Sequence, residues 1–151
     1  MKKYVLLIIL VLLITGCKEN TFSKELFLEK ATNNAYIIQN NKRGYENYDY
    51  ILDIYYAISV DNSYDIQFLI LKDENYAKRF YETNKQELMA LVDNNTYVKN
   101  YNETSYNVYH IENNSKYMIV IRYKNNIIYI DAPIDNINEI EEFLNEMDLE
   151  I

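Results

Sequence analysis

The chain changes its hydrophobic period at Asp73, and no other feature constrains its fold as strongly. Before that point Leu52, Ile54, Tyr56, Ile58 and Val60 alternate with Asp53, Tyr55, Ala57 and Ser59. Successive side chains of a strand point to opposite faces, so this period of two predicts a strand with one buried face. Asp61-Asn62-Ser63 supplies turn residues, and Tyr64, Ile66, Phe68 and Ile70 resume the alternation opposite Asp65, Gln67, Leu69 and Leu71. Together the two runs predict a β-hairpin. After Asp73 the apolar positions Ala77, Phe80, Tyr81, Leu88 and Leu91 fall on one helical stripe, with Lys78, Glu82, Lys85 and Gln86 elsewhere. That spacing predicts a helix to about Val92, with Asp73 placed to cap its free amides.

The flanking segments extend the same alternation of element types. Ser23 is placed to cap a first helix reaching about Asn33, with Phe22 set to pack against Phe27. A short apolar run over 35–39 suits a strand, and the polar stretch 40–48, which holds Gly44, reads as a connection. Asn94-Asn95 ends the second helix. Strands are expected over 97–101, 106–111, 117–123 and 127–131, separated in part by Asn113-Asn114-Ser115 and Asn125-Asn126, as an antiparallel meander. Pro133 ends the last of them, and Ile137, Ile140, Leu144 and Met147 put one apolar stripe on a closing helix capped by Asp135. The outer carboxylates Glu139, Glu141, Glu142 and Glu146 read as a solvated face. The expected class is α+β, an antiparallel sheet with about three helices. Asn33-Asn34-Ala35-Tyr36 echoes Asn94-Asn95-Thr96-Tyr97, which raises a duplicated helix-strand-hairpin unit as a second expectation.

The first residues carry a different message. Lys2 and Lys3 precede an apolar run over 4–14 and then Thr15-Gly16-Cys17, the three parts of an export signal. The run is too short to cross about 30 Å of hydrocarbon, which takes about 20 helical residues. Leu13-Ile14-Thr15-Gly16-Cys17 resembles the lipobox of bacterial prolipoproteins. The resemblance implies cleavage between Gly16 and Cys17, a diacylglyceryl group on the Cys17 sulfur, and palmitate-type acyl chains holding the protein to the outer face of the cytoplasmic membrane. The chain then divides into a signal peptide over 1–16, a short tether over 17–21 and one domain over 22–151. Cys17 is the sole cysteine, so no disulfide is available to the exported domain, and no second thiol is left for catalysis or metal binding. In its run of helix, tyrosine-bearing strand and hairpin, the mature domain loosely resembles small extracytoplasmic lipoproteins of clostridia-like bacteria, a resemblance that implies class and location and no activity.

Removing residues 1–16 leaves 135 of the 151 residues, a length suited to one core, and the loss of two lysines takes the formal charge from −8 to −10. So acidic a domain excludes nucleic acid as its main partner and is held at a membrane by lipid and not by a basic patch. Seventeen tyrosines suggest an aromatic surface for sugars or peptides, although most fall in strand-like runs where Tyr packs half-buried.

No motif for chemistry is evident. His110 is the only histidine and lies within an expected strand, where a polar residue most often faces solvent. Two glycines in all leave no phosphate-cradling loop and no exposed serine elbow. One histidine and a lipidated cysteine do not make a zinc site. Asp61-Asn62-Ser63-Tyr64-Asp65 spaces oxygens as a calcium loop does, but Ile66 stands where such a loop needs glycine, and a hairpin turn accounts for it better. Asp53, Asp65 and Asp131 are available for acid–base work with nothing to select among them. The expectation is therefore a non-enzymatic binding or accessory protein without catalytic residues, metal or cofactor, its partner a protein, peptide or glycan. An immunity-type protein that binds a basic secreted partner is one alternative, and an envelope-polymer hydrolase is another.

Overall fold

A computed structural model describes residues 22–42, 44–149 and 151. The export signal, the lipobox with Cys17 and the tether lie outside the described residues. The described elements are α1 (Lys24–Asn33), β1 (Ile37–Asn40), β2 (Ile51–Ile58), β3 (Asp65–Leu71), α2 (Glu74–Met89), β4 (Tyr97–Asn102), β5 (Tyr106–Glu112), β6 (Lys116–Tyr123), β7 (Asn126–Pro133), a 3-10 turn (Ile134–Asn136) and α3 (Ile137–Glu146). This is the expected α+β class. All seven strands join one antiparallel sheet in the order β1-β2-β3-β7-β6-β5-β4.

The central strands of the sheet are buried on both faces, while the edge strands β1 and β4 are largely exposed. On one face, Phe68, Ile66, Ile119, Ile121, Ile128 and Ile130 meet Phe27 and Ala31 of α1 and Ile140, Phe143 and Leu144 of α3. On the other, Leu69, Leu71, Val120 and Ile127 meet Ala77, Tyr81 and Leu88 of α2. We refer to these as the α1/α3 face and the α2 face. Two covered faces explain why the central strand β6 reads as a near-continuous apolar run, with every residue from Tyr117 to Arg122 buried.

Most caps form as the sequence predicts. Ser23 accepts from the Leu26 amide at 3.2 Å, and Asp73 accepts from the amides of Asn75 and Tyr76 at 2.8 and 3.0 Å. Phe22 and Phe27 both pack on Phe68, with ring centroids 5.5 and 5.1 Å away, so the staple closes through the sheet. Asp135 is not the cap of α3. It lies inside the 3-10 turn that Pro133 starts, and α3 begins after Asn136 without a side-chain cap.

The first half of β2 departs from the simple alternation. Its register with β3 shifts between Ile51 and Asp53, as a β-bulge does. Ile51 and Ile54 are therefore both fully buried, while Leu52 is 53% exposed and Val60, beyond the strand, 70% exposed. Helix α2 likewise stops at Met89, leaving Leu91 in solvent.

The duplicated unit has a topological counterpart. Because every neighbouring pair is antiparallel, β1 and β4, β2 and β5, and β3 and β6 run in matching directions at equal distances on either side of β7. A twofold axis along β7 would also exchange the two sheet faces, and α1 and α2 do cover opposite faces. The asparagine-bearing quartets that suggested the repeat are not environmentally equivalent: Tyr36 is buried, whereas Tyr97 is 57% exposed.

Candidate functional site

The connection between β1 and β2 does not lie as a plain polar loop. Tyr45, Tyr48 and Tyr50 turn toward the α2 face, and Tyr45 and Tyr50 pack partly against its core. Opposite them, one turn of α2 presents Tyr76, Arg79 and Phe80 at positions i, i+3 and i+4, which lie on one side of a helix. The two sides meet where Tyr50 stacks on Tyr76 to make one aromatic wall, and this wall borders an open groove of about 410 Å³ that Thr83, Asn84 and Glu87 extend along α2.

The aromatic wall is ordered by its own contacts. Tyr50 and Tyr76 stack with centroids 5.1 Å apart and planes 7° from parallel. Arg79 lies over Tyr76 with its guanidinium carbon 4.5 Å from the ring centre, a cation–π geometry that fixes both groups. Tyr48 meets Tyr50 edge-on at 5.5 Å, and Tyr45 leans toward Tyr48 and Phe80. Such a platform offers flat apolar faces with hydroxyl tips at little cost in side-chain entropy. Burial pushes the Tyr45 hydroxyl up to about 12 and raises that of Tyr50. Both are neutral near pH 7, as an unperturbed tyrosine is.

Beyond Tyr45 a second hollow opens, of about 450 Å³. The join is the Tyr45 hydroxyl, which donates to Gln67 Oε1 at 3.2 Å, and Gln67 lines the second hollow together with Tyr129. Its chemistry is ionic. The register of β3 with β7, with Ile66 opposite Ile130, brings Asp65 and Asp131 to facing positions on neighbouring strands. Lys116 of β6 grips Asp131 at 2.6 and 2.9 Å. Burial raises the Asp65 carboxyl above the usual range, opposed by a hydrogen bond from Gln67 and reinforced by the negative charge of Asp131. Tyr129 is pushed up to about 12, by burial first and then by Asp131, Glu87 and Asp65. The aromatic and acidic hollows thus lie side by side on the α2 face, joined by the Tyr45–Gln67 hydrogen bond.

The sequence candidates are dispersed. His110 is buried and points into the α1/α3 face, with its ring 4.5 Å from that of Tyr117, on the opposite side of the sheet from the groove. Burial, with help from Lys99, depresses its pKa to about 4. It is a core residue and not the solvent-facing one expected. The Asp61 carboxylate is used inside its turn, accepting from Ser59 Oγ, Ser63 N and Ser63 Oγ. Asp53 accepts from Asn40 and Tyr55 near the β1 edge, apart from the Asp65 and Asp131 pair. Among the described residues no three His, Cys, Asp or Glu groups are arranged to hold a metal ion.

Sequence reasoning passed over the groove because its tyrosines are the loop and helix ones. Tyr45 and Tyr48 lie in the stretch read as a polar connection, and Tyr50 lies between it and the next expected strand. The available signal was three tyrosines crowded into a loop and a Tyr-x-x-Arg-Phe run on the next helix. Comparison with protein-family models, with curated proteins and with solved structures found no match to this chain.

Proposed function

We propose that this chain is a lipid-anchored, extracytoplasmic binding protein whose ligand lies in the groove between the 45–50 connection and α2. The single observation that carries the binding reading is the ordered aromatic wall of Tyr48, Tyr50 and Tyr76 with Arg79 over it. Concave aromatic surfaces with a few polar groups at their rim are where ligands bind. The anchor rests on the lipobox resemblance around Cys17. Two acyl chains hold a protein stably to a bilayer where one does not, because each buried methylene contributes about 0.8 kcal/mol.

The test is a titration of tyrosine-labelled protein, followed by NMR, with soluble peptides and with envelope-type glycan fragments. A ligand of either class should shift the Tyr48, Tyr50 and Tyr76 resonances, and Tyr50→Ala with Tyr76→Ala should weaken it about tenfold or more, as for aromatic hot spots. Shifts confined to the β4 edge or to α3 would place binding elsewhere and refute the groove.

A further inference from the structure

We infer that the ligand of this groove is an extended, basic protein segment, whose apolar or proline rings lie on the tyrosine wall and whose lysine or arginine side chains reach Asp65, Asp131 and Glu87. This inference rests on the groove reading above and names its ligand. Three observations on the one surface carry it. The aromatic and acidic hollows are neighbours, linked by the hydrogen bond from Tyr45 of one to Gln67 of the other, so a linear ligand that crosses this link meets two different ends. Aromatic-lined grooves of this kind suit extended, proline-bearing backbone, which enters already ordered.

The second observation is the charge pattern. Facing carboxylates on neighbouring strands repel each other, and Lys116 engages Asp131 while Asp65 is left to a neutral glutamine. A cationic side chain seated beside Asp65 would offset that repulsion, and a neutral sugar would not. The third is Arg79 at the opposite end, which disfavours a cation there and offers guanidinium donors to a backbone carbonyl or a carboxylate. The groove therefore has a polarity, with its aromatic and Arg79 end distinct from its acidic end. The acidic balance of the whole chain steers a basic partner toward it.

The test uses the full, processed protein in neutral detergent and calorimetric titration with three probes: a short synthetic peptide of alternating proline and arginine, its proline and glutamate counterpart, and an N-acetylglucosamine oligosaccharide. The arginine peptide should bind and weaken as salt rises. Asp65→Asn or Asp131→Asn should each weaken it about tenfold or more, whereas Glu142→Gln, the same charge change on the outer face of α3, should leave it within about twofold. Loss of a facing like charge should leave Asp65→Asn at least as thermally stable as the parent, so a folding defect does not confuse the result; Asp131→Asn also loses the Lys116 ion pair and is read beside its own melting curve. Equal binding of the glutamate peptide, or binding of the oligosaccharide alone, would overturn the basic-segment inference and leave the groove as a ligand site. No binding by any probe would overturn both.

Discussion

At the scale of single residues, two buried polar groups set clear expectations for stability. His110 is held neutral: its folded pKa is about 4 against an ordinary 6.5, because burial disfavours the imidazolium. Between those values the unfolded chain binds more protons than the folded one, so stability falls as pH drops from about 6.5 toward 4, by no more than about 3 kcal/mol. Thermal melts from pH 7 to 4.5 should show that slope, and His110→Phe should flatten it while holding or raising stability at pH 7. The Nε2 atom has no hydrogen-bond partner among the described residues, so nothing is lost with it. A fold that keeps the same slope in the Phe variant would assign the dependence to other groups. Arg122 is the opposite case, being 1% exposed with each of its three guanidinium nitrogens donating a hydrogen bond. It donates to Asn107 Oδ1 at 2.6 Å, Thr104 O at 2.9 Å and Lys124 O at 3.1 Å, tying two turns to the end of β6. Arg122→Met should cost about 1–3 kcal/mol, read from the urea midpoint, because three charge-assisted hydrogen bonds to part-buried acceptors are lost. An unchanged midpoint would mean that the turns do not depend on this side chain.

At the scale of elements, the bulge in β2 yields the sharpest contrast between neighbours. Simple alternation aims Leu52 inward, whereas the register shift buries Ile51 completely and leaves Leu52 outside. Ile51→Ala should therefore cost about 2–4 kcal/mol and Leu52→Ala less than about 0.5, and the reverse order would restore the unbulged strand. The existence of this strand was legible, since alternation over eight residues is a local property of the chain. Its bulge was not, because a two-against-one pairing is decided by the fit of β2 to β3 across the hairpin. The helix starts at Ser23 and Asp73 were legible for the same local reason: a side-chain oxygen meets amides two or three residues ahead. The start of α3 was misread at Asp135, where Pro133 first commits the chain to a 3-10 turn. The inward aim of His110 was hidden too, since burial of both sheet faces removes the polar side that would have told one parity from the other. The groove was the least legible feature. It is assembled from a loop at 45–50, a helix at 76–87 and facing aspartates from two strands, and their meeting is a product of topology alone.

At the scale of the whole molecule, the account joins a membrane anchor at one end of the chain to an acidic, aromatic surface beside α2. Among the described residues no helix is long and apolar enough to cross a membrane. The proposed attachment rests on the lipobox resemblance around Cys17. In the proposed setting the acidic balance would repel anionic headgroups and attract a basic partner. Everything about where the ligand is met depends on that single cysteine. The most direct test is mass spectrometry of the N-terminus of protein recovered from the membranes of expressing cells, with a Cys17→Ala variant beside it. The account predicts a mature chain that begins at an acylated Cys17, and a variant that is left unprocessed or shed to the medium. A chain that keeps residues 1–16, or begins elsewhere with an unmodified Cys17 thiol, would contradict it.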